Sequence, residues 1–279
     1  MSGSLKGCIA LVTGASRGAG KGIALCLGEA GCTVYVTGRS SRTGQTTQGR
    51  SETIEETAEK VNTLGGVGIA VCCDHRNDEQ VKALFNKIKL EQGKLDLLVN
   101  NAWAGYETEV KIAPFWELQM EHWDTMFEVG VRSHVVAASL ASALMLPHKK
   151  GIIVNISSPI KDKYHGNLFY DVAKSSITRM TLGMNSDLSK HGITALALAP
   201  GWMMTERMVD ANIPESERKD IETVNYIGRA VVALASSNEP ISKMGGKFWE
   251  VGEIARMYNF TDIDGRQLAP FSERFPEHY

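Results

Sequence analysis

Tyr170 and Lys174 stand four residues apart in FYDVAKSS, and Ser158 precedes the tyrosine by twelve. On a helix, positions i and i+4 share a face, so the ammonium would lie beside the phenol. A cation there stabilises the phenolate and draws a tyrosine pKa of about 10 toward neutrality. Such a phenol can give a proton to a carbonyl oxygen or take one from an alcohol. The Ser158 hydroxyl could hold that same oxygen. Its neighbour Ser157 belongs to the strand pattern, and strand alternation would turn it away from the cleft, which favours Ser158. A Tyr–Lys pair on any exposed helix would look the same, so the elements around it must decide.

Those elements alternate. CIALVT at 8–13 is a short apolar, β-branched run that reads as a buried strand. Directly after it, Gly14, Gly18 and Gly20 open a helical stretch that ends at Gly31, and a second strand follows at 33–39. A β–α–β turn without side chains lets a backbone approach a pyrophosphate, with a helix N-terminus aimed at it. The second strand ends TGRSSR, with Arg39 and Arg42 and no acid. An acid at that place suits the ribose 2′-hydroxyl of NAD, whereas arginine suits a 2′-phosphate. Arg17, inside the glycine turn, is a further cation in reach, and the pattern favours NADP(H). Solvated loop arginines would give the same letters.

Further along, SSRTGQTTQGR at 40–50 is polar and non-periodic, hence a loop, and it could close over the phosphate site. A helix is expected over 51–64, a third strand at 67–73, and a helix capped by Asn77 and Gln80. LDLLVNN at 95–101 is a fourth strand, GIIVNIS at 151–157 a fifth and ITALALAP at 193–200 a sixth, with a last strand near 246–250. The fifth delivers Ser158 at its carboxyl end, where ligands of open α/β sheets sit. The alternation predicts one α/β domain over 1–279: a Rossmann-type, doubly wound parallel sheet with helices on both faces.

With these motifs in order, the chain resembles the short-chain dehydrogenase/reductase family from about residue 5 to about 265. The resemblance rests on TGASRGAG at 13–20, CD at 73–74, NNA at 100–102, SS at 157–158, YDVAK at 170–174 and PGWMMT at 200–205. APFWE at 113–117, ISSP at 156–159 and DIDGR at 262–266 are similar to the member 1 subgroup of that family. By that resemblance, Ser158, Tyr170 and Lys174 are the catalytic residues. Gly14, Ser16, Arg17, Gly18, Ala19, Gly20 and Arg39 hold the phosphates. Asp74 meets the adenine, Asn101 and Ala102 line the adenosine ribose, Tyr170 and Lys174 contact the nicotinamide ribose, and Thr205 meets the carboxamide or pyrophosphate. The resemblance also implies a homodimer or homotetramer. The family carries an asparagine on the helix before the fifth strand, whose backbone holds a relay water. Here FEVGVRS puts Gly130 in its place, a departure that bears on turnover. A backbone carbonyl at Gly130 could still hold that water, since the role needs no side chain.

A net charge of −2 and no basic run exclude a nucleic-acid partner as the expectation. No apolar stretch is read as a membrane span, and the N-terminus enters the first strand without a leader. A cytoplasmic place is expected, with endoplasmic-reticulum association as the alternative that the member 1 resemblance brings. Five cysteines without metal or redox spacing read as mostly buried free thiols, and seven scattered histidines give no metal site. Trp103, Tyr106, Trp116, Tyr164, Phe169, Trp202, Met203 and Met204 fall near the loops of the active face and suggest a roomy apolar pocket, with core filling as the other reading. Lys161 and Lys163 are the cations near the serine, so a hydrophobic ketone or aldehyde is favoured over an anionic substrate. The charged segment 205–225 reads as a substrate lid of short helices. The expectation is an NADPH-dependent reductase of such carbonyls, reversible toward alcohol oxidation, with Tyr170 as proton donor. The alternatives are a dinucleotide-binding regulatory or scaffold protein with vestigial catalysis and an epimerase or dehydratase of the same superfamily, the latter disfavoured by the short C-terminal part.

Overall fold

In the computed structural model, residues 4–107, 111–159, 163–237 and 241–278 are described. The chain runs β1 (Ile9–Val12), α1 (Gly18–Glu29), β2 (Thr33–Gly38), α2 (Ile54–Thr63), β3 (Val67–Cys72), α3 (Asp78–Gln92), β4 (Leu97–Asn100), α4 (Met120–Phe127) and α5 (Ser133–Met145). It continues β5 (Gly151–Ile156), α6 (Leu168–Leu188), β6 (Ile193–Ala199), β7 (Met203–Met204), α7 (Glu206–Asp210), β8 (Glu222–Thr223), α8 (Val224–Ser236), β9 (Phe248–Glu250), α9 (Val251–Tyr258) and α10 (Phe271–Arg274). A π-helical turn, Glu128–Arg132, joins α4 to α5.

The main sheet has seven strands, all parallel, in the order β3-β2-β1-β4-β5-β6-β9. Order reverses between β1 and β4, so a crevice opens there beyond the strands' carboxyl ends. Alternation along the strands feeds two apolar layers. Ala10, Val12, Val34, Val36, Leu97 and Val99 face α1, α2 and α8, while Ile9, Leu11, Tyr35 and Leu98 face α3 and α5. At the carboxyl edge, Asn100 and Asn155 are opposite each other and joined side chain to side chain at 2.9 Å. Asn100 also donates to the carbonyl of His134 and Asn155 to Thr181, which ties α5 and α6 to the strand ends that carry the site.

Two expectations need correction, and the one about membrane spans needs restating in terms of burial. Asn77 caps α3, accepting from the amides of Glu79 and Gln80. The Gln80 side chain, however, reaches the amide of Asp74 at 2.8 Å rather than closing a reciprocal box. The helical run from 120 to 148 is long and apolar enough, by composition, to cross a membrane; half of its most apolar stretch is buried inside the protein. Ala137, Ala138, Ala141 and Met145 put that buried face in the sheet's second layer, as a core helix does. Finally, Cys72 is exposed and Cys8 half-buried, so only Cys26, Cys32 and Cys73 match the buried-thiol reading.

Candidate active site

One cavity of about 750 Å³ occupies the crevice. Its floor is the glycine turn after β1. Gly14 has a φ of +65°, and a Cβ there would lie 2.8 Å from the Cα of Ala102, so a side chain would break the contact between the turn and the end of β4. Thr13 fastens the same joint: its hydroxyl accepts from the amides of Asn101 at 2.9 Å and Ala102 at 3.0 Å. The Asn101 carboxamide in turn donates to the carbonyls of Thr13 and Gly14, both at 2.9 Å. Asn101 therefore works first as a strut under the turn, although it also lines the cavity. Gly14, Ser16, Arg17, Gly18, Ala19, Arg39, Asp74, Ala102 and Thr205 line it too. Gly20 does not. A Cβ on Gly20 would meet the carbonyl of Gly14 at 2.4 Å, so its smallness serves packing of α1 beneath the turn.

The charge around the turn is partly paired. Arg39 forms an ion pair with Glu107. A shallow annex lined by Arg39, Arg76, Thr46, Thr47 and Gln48 opens beside it. Arg17 donates to the hydroxyl of Thr47 at 2.9 Å, and its Nη1 is buried without a partner. Arg42 points elsewhere: it pairs with Glu59 on an exposed face and is absent from the cavity wall, contrary to the sequence reading. Arg50, not singled out in the sequence, lines the cavity and holds Glu52 at 2.7 Å and Asp210 at 2.6 Å. Glu206 was also missed. Its carboxylate accepts from the amide of Gly18, at the N-terminus of α1, at 2.8 Å, and lies 3.7 Å from Lys21. An acid at a helix N-terminus is favourable in itself, so proximity across 188 residues was the only signal and the sequence hides it.

On the opposite wall, Asn167 caps α6 and accepts from the amide of Tyr170 at 3.0 Å, which fixes the tyrosine in the first turn. Tyr170 and Lys174 then face the cavity from that helix. The Tyr170 phenol lies close enough to the side chains of Ser158 and Tyr106, on the same cavity wall, for both to bear on its protonation. Ser157 turns inward, its hydroxyl donating to the carbonyl of Lys174 at 3.2 Å, so the strand-end geometry brings Ser158 rather than Ser157 to the phenol. Burial drives the phenol well above the usual tyrosine range; Tyr106 adds to the rise and the Ser158 hydroxyl opposes it. Burial also pushes Lys174 down to about 7. The expected lowering of the tyrosine by Lys174 is not among the main influences on it: burial dominates, and the phenol keeps its proton.

The Lys174 ammonium lies 3.8 Å from the centre of the Trp103 ring. The same ring stands edge-on to Tyr170, with centroids 5.7 Å apart and planes at 88°. Of the eight side chains expected to make an apolar pocket, Trp103, Tyr106, Trp202 and Met203 line the cavity, joined by Val129, Met208 and Phe271. Trp116 and Tyr164 are exposed at 72% and 58%, and Phe169 is buried in a small core with Met126 and Ala173. Met204 stands outside the wall as well. Lys163 donates to the carbonyl of Pro276 at 2.6 Å, while Lys161 lies outside the described residues. Among the described residues, no cluster of metal-ligating side chains occurs.

Residues 8–216 match the sequence profile of the short chain dehydrogenase family. The human protein Dehydrogenase/reductase SDR family member 1 is 35% identical over 286 aligned positions, covering 97% of this chain and 88% of that one. Glucose 1-dehydrogenase 2 of Bacillus subtilis is 31% identical, with 79% of this chain and 81% of that one covered. Among solved structures, a Xanthomonas campestris protein superposes with a TM-score of 0.81 at 25% identity, covering 97% and 98% of the two chains. The hydroxysteroid dehydrogenase of Escherichia coli gives 0.74 at 26% identity, with 88% and 96% covered.

Proposed function

The chain belongs to the short-chain dehydrogenase/reductase family, and from that premise we propose that it is an NADPH-dependent oxidoreductase reducing the carbonyl of a hydrophobic ketone or aldehyde, reversibly. The observation that carries this reading is the meeting of Ser158, Tyr170 and Lys174 on one cavity wall, with the glycine turn on the other. A phenol that keeps its proton at neutral pH is in the form that can donate it. The Ser158 hydroxyl would hold the substrate oxygen and the Tyr170 phenol would protonate it. The Lys174 ammonium would stabilise the phenolate left behind.

The family's nicotinamide dinucleotide fits the residues present. The turn has no Cβ at Gly14 and Gly18, and the amide of Gly18 faces an anion already. Arg17 offers a buried donor without a partner, and Arg39 with Arg76 flanks the annex beside it. These cations support a 2′-phosphate, and Asp74, Asn101, Ala102 and Thr205 line the remaining length. When bound, the cofactor supplies or accepts the hydride. Trp103, Tyr106, Trp202, Met203 and Phe271 make the substrate end apolar, which supports a hydrophobic carbonyl. Thr205, Glu206, Arg207 and Met208 line the same cavity, and on that ground we read 205–225 as its lid.

The test is NADPH consumption against a panel of hydrophobic ketones, aldehydes and quinones, with Tyr170→Phe alongside. Turnover on at least one class, reduced by about 10²- to 10⁴-fold in the variant with NADPH binding retained, is the expected result. Tight binding with no turnover on any class would replace this reading with a dinucleotide-binding regulatory or scaffold role. Gly130 is the residue that keeps that second reading in play.

A further inference from the structure

Trp103 sits in a slot made for it. A Cβ on Gly130 would lie 2.2 Å from Cζ3 of the indole and 2.4 Å from Cε3. A Cβ on Gly105 would lie 2.6 Å from Cζ2 and 2.8 Å from Nε1. Two glycines, one in the loop after β4 and one in the π-helical turn, thus clear the two edges of a single ring. The π turn is the second accommodation, since its extra residue per turn widens the helix where the ring enters. The indole Nε1 is buried without a partner, so the ring is not placed there by a hydrogen bond of its own. What the ring does touch is the pair on α6: its face lies under the Lys174 ammonium and its edge against Tyr170.

We propose that Trp103 is a positioning residue for the Tyr170–Lys174 pair, its indole face holding the Lys174 amine in place and in its charged form. The negative face of an aromatic ring attracts a cation, and the attraction grows when water is excluded. Lys174 is where such help is needed, because burial alone pushes it down to about 7 and no carboxylate among the described residues offsets that loss. Among the described residues, the other ionisable groups near it are Tyr170 of α6, His134 of α5, and His165, Tyr106 and Arg207 on the same cavity wall. His134 is held neutral by burial, and Lys174 itself adds to that, so it supplies no competing charge. Gly130 in this light is not a gap in the site: its missing side chain is the room the ring occupies.

The consequence for turnover rests on the reductase reading above, but the contact itself does not, and the experiment separates them. Protein carrying ¹³C at lysine Cε is titrated by NMR, with Lys174 assigned through Lys174→Arg, for the parent, Trp103→Phe, Trp103→Leu and Gly130→Ala. Loss of the ring face in Trp103→Leu is expected to lower the Lys174 midpoint by about one pH unit. Trp103→Phe, which keeps a weaker face, should fall between. Gly130→Ala, which keeps the indole but displaces it, should move toward Trp103→Leu and covers the case in which that variant does not fold. An unchanged midpoint in both Trp103→Leu and Gly130→Ala overturns the proposal and leaves the indole as pocket wall. If a substrate is in hand, the falling alkaline limb of carbonyl reduction should move to lower pH by the same amount, while a change in KM alone would count against positioning. A parent protein that shows no turnover defeats the reductase reading and leaves the NMR result to decide this one.

Discussion

The meeting of Ser158, Tyr170 and Lys174 on one cavity wall was legible because each carries its signal locally: a strand end, a helix face, a spacing of four. Arg39 was legible for the same reason, at the end of β2. If it holds a 2′-phosphate, Arg39→Asp should weaken NADPH binding by about 10- to 100-fold, the loss of one charge-assisted hydrogen bond, and shift preference toward NADH. Dissociation constants for both dinucleotides measure this, and an unchanged ratio would assign the phosphate to Arg17 or Arg76. Arg42 was misread from the same motif. Three residues beyond Arg39, it has left the strand and found Glu59 instead, and nothing in TGRSSR tells those two arginines apart. Trp103 was read only as an apolar wall. Its contact with Lys174 joins residues from different elements, and Gly130 looked like a loss until the ring that fills its space was seen.

Among elements, the strands and their order of use were readable from apolar runs, since a parallel sheet buried on both faces leaves near-continuous hydrophobic segments. The segment read as a lid was harder. Its charges suggested short helices, and α7 is one, but Glu222 and Thr223 form a small parallel pairing with Met203 and Met204. What holds that pairing lies near the other end of the chain. Arg274 pairs with Glu222 while both side chains are nearly inaccessible, at 7% and 1%, and it also donates to the carbonyls of Asp220 and Ala269. Removing the cation strands a buried acid, a change that typically costs about 3–5 kcal/mol. Arg274→Met should therefore lower the melting temperature and open 205–222 to proteolysis. Burial raises Glu222 to about 7, against the pull of Arg274. A raised folded pKa gives stability that is present below the unfolded value and lost as pH rises through the folded one. The defect of Arg274→Met should thus be worse above neutrality than below it, and Glu222→Gln should relieve it. A pH-independent loss would show that the carboxylate is not the cause.

For the whole molecule, seven parallel strands deliver their carboxyl ends to one edge, so residues as distant as Gly18, Ser158 and Glu206 share one cavity. That arrangement followed from alternation and the handedness of βαβ connections, which is why the architecture was more readable than any single long-range contact. The carboxylate of Glu206 on the amide of Gly18 is such a contact, and it gives the cavity a property that no lining residue has alone. A tethered anion at that amide is a competitor that cannot diffuse away, present at a high effective concentration set by the chain itself. A phosphate that used that amide would have to win an exchange rather than fill a space, and the exchange would free the start of α7. Dinucleotide affinity and the position of that segment would then be two readings of one equilibrium, reciprocal by linkage. Glu206→Gln should tighten the binding of NADPH and of ADP alike in calorimetry, and equal or weaker binding of both would show that the acid is a spectator. The molecule's resting state, on this view, is one that has already bound an anion: its own.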